Sequence, residues 1–140
     1  MDERSDDSFS EIWTNDAVNM MLAVAKSAVS IGTLRNVDVP VEIEFMDVAP
    51  VIEYSEWDHA VEGSIDLPSG SLVVMSCTGY LPDAPRIPAR SGTHQLLFLA
   101  RGLDTIDDEA GPAEDLYRVY LWLGSERAPR LIKSWRSANA

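Results

Sequence analysis

The chain is poor in cysteine, histidine and basic residues: one cysteine, Cys77, two histidines, His59 and His94, and 11 lysines and arginines against 23 acidic residues. One cysteine excludes an internal disulfide. The histidines stand in neither a His-x-His nor a His-x-x-x-His spacing and supply no metal-binding motif. A Gly-x-Ser-x-Gly nucleophile elbow, a phosphate-binding glycine loop and a dinucleotide fingerprint are all missing. The formal charge of -12 argues against a phosphate-backbone binder, whose surface must be basic. The longest apolar-rich segment, Ala17 to Ile31, is interrupted by Asn19, Lys26, Ser27 and Ser30 and falls short of the roughly 20 apolar residues of a membrane span. The first residues, Met1-Asp2-Glu3-Arg4-Ser5-Asp6-Asp7, lack the basic and apolar regions of a secretory signal. The expectation is a cytoplasmic, non-enzymatic protein without metal or cofactor, whose partners include neither nucleic acid nor membrane.

What is present is the composition of a folded chain. At 140 residues there is room for one core and little for two. Residues 1–8, acidic and without an apolar pattern, read as a flexible tail ahead of a single β-rich domain over 9–136. Ser8-Phe9-Ser10-Glu11 fits a capping box, and Thr14-Asn15-Asp16 offers further N-cap side chains. Trp13, Ala17, Met21, Val24, Ala28 and Ile31 recur at spacings of three and four and predict one helix over about 10–31, stopped at Gly32. Val18, Leu22, Ala25 and Val29 widen its apolar face, as suits a helix packed on a sheet.

From Val37 the period becomes alternating. Val39, Val41, Ile43 and Phe45 share one side of a strand, with Glu42 and Glu44 on the other, and Pro40 points to an edge position or a late start. Val51 to Tyr54 suits a short strand. Val61, Ile65 and Leu67 then alternate with Glu62, Ser64 and Asp66. Pro68-Ser69-Gly70-Ser71 is a turn with glycine where positive φ is needed. Ser71 to Cys77, apolar on both sides, reads as a central strand. The prolines between Thr78 and Ser91 indicate a loop or an extended edge, with Tyr80 and Ile87 as its anchors.

Two runs, Gly92 to Arg101 and Leu116 to Leu123, form the centre. Leu96, Phe98 and Ala100 oppose Leu97 and Leu99 in the first, and Tyr117, Val119, Leu121 and Leu123 oppose Arg118, Tyr120 and Trp122 in the second, so both faces are covered. Arg130 to Trp135 is a last strand. One helix followed by several strands with frequent turns indicates a mainly β fold: an antiparallel β-sandwich or partly open barrel with an N-terminal helix packed on it.

Three groups of residues carry possible chemistry. Glu56, Asp58, His59 and Glu62 gather around Trp57, which suits a solvated strand end with Trp57 in the core, or a site that binds a divalent metal or does acid–base work. Cys77 ends an apolar run without cationic neighbours and reads as structural. The segment 104–115 holds six acids in twelve residues, Asp104, Asp107, Asp108, Glu109, Glu114 and Asp115, and lacks the ligand spacing of a calcium loop. It reads as an exposed loop suited to a basic partner, with Glu42 and Glu44 as further contacts. Acid dominates elsewhere too: residues 1–66 carry fifteen Asp and Glu against Arg4, Lys26 and Arg35, whereas 116–140 carry one acid against five bases.

The order Trp57-x-His59, Gly63, Ser69-Gly70-Ser71-Leu72-Val73-Val74, Arg86-Ile87-Pro88-x-x-x-Gly92-Thr93-His94 and Tyr117-x-Val119-x-Leu121-Trp122 resembles a group of small, uncharacterised bacterial β-sandwich proteins. More distantly it is similar to the competence-associated nuclease inhibitor (ComJ-like) family. The resemblance spans Trp57 to Trp122 and implies an inhibitor that occupies a nuclease; it assigns no inhibitory residue. With the charge, it leads to the expectation of an immunity- or antitoxin-like inhibitor of a basic nuclease or toxin. The alternative is a self-associating, possible homodimer or small-molecule-binding β-sandwich in which Tyr120, Trp122 and Trp135 line a pocket or interface.

Overall fold

The structure, a computed structural model, describes residues 1–3, 5, 12–33, 39–75, 84–106 and 113–135. At its centre is a five-stranded sheet of β3 (Val41–Phe45), β4 (His59–Leu67), β7 (Gly92–Arg101), β8 (Leu116–Leu123) and β9 (Arg130–Lys133), in the order β3-β8-β7-β4-β9. Two antiparallel hairpins, β1 (Leu22–Val24) with β2 (Val29–Ile31) and β5 (Ser71–Val73) with β6 (Arg86–Pro88), accompany it. The described residues are mostly β, with one α-helix among them, α1 (Asn15–Met20), near the N-terminus, and sheets that pack together without closing into a barrel.

Alternation sets the faces of the large sheet. Val61, Ile65, Leu67, Leu96, Phe98, Tyr117, Val119 and Leu121 form the first face, packed with Met21 and Leu22, Leu72 of β5 and Leu103. Ala60, Leu97, Leu99 and Trp122 form the second face, covered by Trp57 and by Met46, Ile52 and Tyr54. Each fully buried Leu or Phe contributes about 1.5–3 kcal/mol, and β7, with Leu96 and Phe98 buried on the first face and Leu97 and Leu99 on the second, carries such residues on both sides.

Residues 46–57 run between β3 and β4 across the second face. Such a crossover lets β3 lie parallel to β8, with Val41 beside Tyr117 and Phe45 beside Leu121, whereas the other pairs of this sheet are antiparallel. Alternation alone predicts an antiparallel sheet; strand direction is set by the crossover. β3 is an edge strand that starts after Pro40, as the proline indicates. Gly70 takes φ +71° in the turn before β5.

Several expectations are corrected. The helix predicted over about 10–31 is confined to Asn15–Met20: Thr14 Oγ1 accepts the Ala17 N–H at 3.1 Å at its start, and Met21, at φ +58°, ends it. Residues Leu22 to Ile31 form the β1–β2 hairpin instead. A segment apolar on two stripes serves a hairpin as well as a helix, and β-branched Val24, Val29 and Ile31 favour the strand. The tail expected over 1–8 is fastened at its start. Val73 N–H donates to Met1 O at 2.7 Å, Glu3 N–H to Ser71 O at 3.1 Å, and buried Asp2 accepts from the Ser69 N–H and hydroxyl at 3.0 and 2.6 Å. Residues 4 and 6–8 lie outside the described residues. Val51 to Tyr54 is no strand: a 3-10 turn occupies Tyr54–Glu56, and Val51 is fully exposed. The strand expected over Ser71 to Cys77 is described only as Ser71–Val73, in the small hairpin and outside the large sheet; Cys77 and Tyr80 lie outside the described residues. Ile87, on β6, packs on the core as expected.

Candidate functional site

The acidic segment begins where β7 leaves the sheet. Gly102, at φ +70°, turns the chain, and a Cβ there would lie 2.2 Å from the Glu114 carbonyl oxygen, so only glycine lets the two limbs of the loop approach this closely. The 3-10 turn Leu103–Thr105 follows, with the Leu103 N–H donating to Asp58 Oδ2 at 3.0 Å. Thr105 Oγ1 donates to the Gly102 carbonyl at 2.6 Å and accepts the Glu114 N–H at 2.8 Å. This frame presents the carboxylates of Asp104 and Glu114 to solvent, and Asp104 also accepts the Trp135 indole N–H at 3.1 Å. Asp107, Asp108 and Glu109 lie outside the described residues.

Asp115 departs from the expected exposed loop. It is 2 % exposed, and the Tyr117 hydroxyl, itself inside the core, donates to its Oδ2 at 2.9 Å. Asp115 and Tyr117 stand two apart at the start of β8, on the same side of the chain, so strand alternation turns this carboxylate inward. It is not a partner contact.

Glu42 and Glu44 are both exposed on β3, on the second face, with different surroundings. Glu42 Oε2 accepts from Arg118 Nε at 2.8 Å and from Arg118 Nη2 as well. The guanidinium also donates to the Tyr120 hydroxyl at 3.2 Å and lies 5.5 Å from the Trp57 ring centroid. The hydrogen bonds to Glu42 raise the Arg118 pKa above its ordinary value, so this cation stays charged. Glu44 has no ion pair among the described residues.

The residues around Trp57 do not converge. Trp57 is buried on the second face, with Arg101 5.0 Å from its ring centroid. His59 faces the first side of the sheet, where it is 1 % exposed; its Nε2 lies 2.6 Å from Met20 O and its Nδ1 accepts the Trp135 N–H at 3.3 Å. It therefore ties the end of α1 and the residues after β9 to β4. Glu62, three residues on, lies on the opposite face and accepts from Arg127 Nη1 at 2.5 Å and Arg130 Nε at 2.7 Å. The pattern around Trp57 builds structure, and no group of three or more His, Cys, Asp or Glu among the described residues is placed to hold a metal ion.

Sequence reasoning passes over Gln95 and Arg127. Gln95 Oε1 accepts from the Trp122 indole N–H at 3.1 Å and from Arg127 Nη2 at 2.7 Å, and its Nε2 donates to Ser125 O at 3.1 Å. Ser64 and Arg127 exchange two further bonds, at 3.0 and 3.1 Å. The available signal is Gln95 itself, a polar residue next to Leu97 and Leu99 on the second face of β7. Trp122, held in this network, and Tyr120 lie on the second face, whereas Trp135 packs on the first-face core, so the three aromatics line no common pocket.

A cleft of about 280 Å³ opens at the far end of β3, lined by Phe45, Met46, Asp47, Pro88, Ala89, Arg90, His94 and Leu123. His94 is nearly buried; its Nδ1 lies 3.0 Å from Gly92 O, and its ring meets Phe45 edge-on at 5.7 Å.

The charges are distributed unequally between network and solvent. Arg86 pairs with Glu3, Arg118 with Glu42, and Arg127 and Arg130 with Glu62, while Lys133 donates to Tyr54 O. Arg90 lies 3.9 Å from exposed Asp47, and further exposed carboxylates stand at Asp16, Glu44, Glu53, Glu56, Asp104, Glu114 and Glu126. No helix among the described residues is long and apolar enough to cross a membrane. No protein-family model, curated protein or solved structure matches the chain.

Proposed function

We propose that the chain is a non-enzymatic, cytoplasmic binding protein that neutralises a basic partner, a nuclease or toxin, in the manner of an immunity protein or antitoxin. The observation that carries this reading is the fate of the charges. Arg101, Arg118, Arg127 and Arg130 of the large sheet and its flanks are bound to Glu42, Glu62 or the Trp57 ring, while Glu44, Asp104 and Glu114 face solvent. Together with a formal net charge of -12, these exposed carboxylates favour a cationic partner. A surface of this kind attracts a cationic cleft over about a Debye length, speeds encounter and competes with the polyanion that the cleft was built to hold. The distant similarity of Trp57 to Trp122 to the competence-associated nuclease inhibitor family supports the same reading.

The test is to recover partners from native extract by crosslinking to the intact chain and to measure their association with purified components. The reading expects a basic protein whose binding weakens steeply between low and near-physiological salt and whose nuclease or toxin activity falls on binding. An acidic or neutral partner held equally well at both salt concentrations contradicts it.

A further inference from the structure

Among the described residues, the outer edge of β3 pairs with no other strand. In the β3–β8 pair, the Tyr117 N–H donates to Pro40 O at 3.2 Å and the Met46 N–H to Leu121 O at 2.7 Å. By the two-residue period of a strand, Glu42 and Glu44 turn their backbone groups toward β8, and Val41, Ile43 and Phe45 turn theirs away. Among the described residues, none pairs with these outward N–H and C=O groups. The opposite edge is guarded: the β4–β9 register shifts between Ala60 and Val61, and β9 begins and ends on the basic residues Arg130 and Lys133, both devices that discourage strand addition. β3 keeps an unbroken register over five residues, and Val41 is exposed beside it.

Charge selects what can lie there. A second copy of β3 in antiparallel pairing would set Glu42 and Glu44 against the same residues, and like charges facing across strands destabilise the pair. A segment with Lys or Arg at alternate positions meets Glu44 and the outer side of Glu42 with complementary sign. Beyond Phe45 the edge leads to the cleft beside His94, large enough to receive a side chain. Main-chain pairing for affinity and pockets for alternate side chains for selectivity are the two parts of recognition by strand addition.

We propose that the β3 edge takes up an extended, basic segment of the partner as a further strand of the sheet. Its cationic side chains face Glu42 and Glu44, and a side chain at its end enters the cleft between Phe45, His94 and Arg90. The proposal rests on the acidic-binding reading above and names the surface that this reading uses.

The probe is a short peptide of alternating lysine and valine, titrated into the isotopically labelled chain at low and near-physiological salt. The expected result is a saturable shift of the Val41, Ile43 and Phe45 amides and about tenfold slower hydrogen exchange at them. The same peptide N-methylated on the face that meets β3 loses the effect. Ile43→Pro and Val41→Pro each remove an outward N–H and no β3–β8 bond, and both weaken binding about tenfold; Val41 is the exposed position, so that variant keeps its core. Glu44→Lys weakens binding about fivefold. Shifts confined to Asp104 and Glu114, with β3 unmoved, overturn strand addition and leave the acidic-binding reading standing. No binding at low salt overturns both. Protection of β3 without peptide, in a species that sediments as a dimer, overturns the choice of occupant.

Discussion

Asp104 and Asp115 belong to one acidic segment and have opposite fates. Asp104 stays exposed and accepts the Trp135 indole N–H, whereas Asp115 is enclosed and held by the Tyr117 hydroxyl. Removing that hydroxyl in Tyr117→Phe leaves a buried carboxylate short of a donor and is expected to cost about 1–3 kcal/mol, read as a lower denaturant midpoint with an unchanged slope. Gly102→Ala sets a methyl against the Glu114 carbonyl at a positive φ and is expected to cost about 2 kcal/mol or more by the same measurement. Acids are mostly exposed, so composition groups Asp115 with its neighbours; the signal that separates it is its position two residues before Tyr117, on the core side of the strand. No local pattern marks Gly102, because what it must clear, Glu114, is twelve residues away in the chain.

The strands were legible to the extent that their alternation was unambiguous. β3, β4, β7 and β8 show one residue type per face or two covered faces, and the faces read from the sequence are those of the sheet. The N-terminal segment was not legible, because apolar residues on two stripes satisfy a helix and a hairpin alike, and what decides is the packing of Leu22, Ala23 and Ala28, all buried. Leu22→Ala is therefore expected to cost about 2–5 kcal/mol, as a core deletion, and Thr14→Ala only about 1 kcal/mol, as loss of one cap on a short helix. A larger loss from Thr14→Ala than from Leu22→Ala would mean that the helix, and not the hairpin, holds this region. The polar network on the second face was likewise invisible in sequence, since Gln95 and Arg127 meet only after β7 and the segment before β9 are side by side. Gln95→Leu, which keeps the bulk and leaves the Trp122 indole N–H without its acceptor, is expected to cost about 1–2 kcal/mol in thermal or chemical unfolding.

At the scale of the whole molecule, Arg86, Arg118, Arg127 and Arg130 are held by carboxylates, while Glu44, Asp104 and Glu114 are exposed without an ion pair among the described residues. Carboxylates that accept no structural cation should be removable without loss of fold: Glu44→Gln, Asp104→Asn and Glu114→Gln together are expected to change stability by less than about 1 kcal/mol. The same triple variant should lose much of its attraction for a basic protein, because long-range steering depends on net charge and its placement. The acidity was plain in the composition, but which acids face outward was not, since that depends on where Arg118, Arg127 and Arg130 find their partners. The most direct measurement is the association rate constant of the chain with the basic partner proposed for it as a function of ionic strength, for the native sequence and the triple variant. The rate should fall steeply with salt for the native sequence and start lower with a shallower slope for the variant. A rate independent of salt and unchanged by the three substitutions would contradict the account.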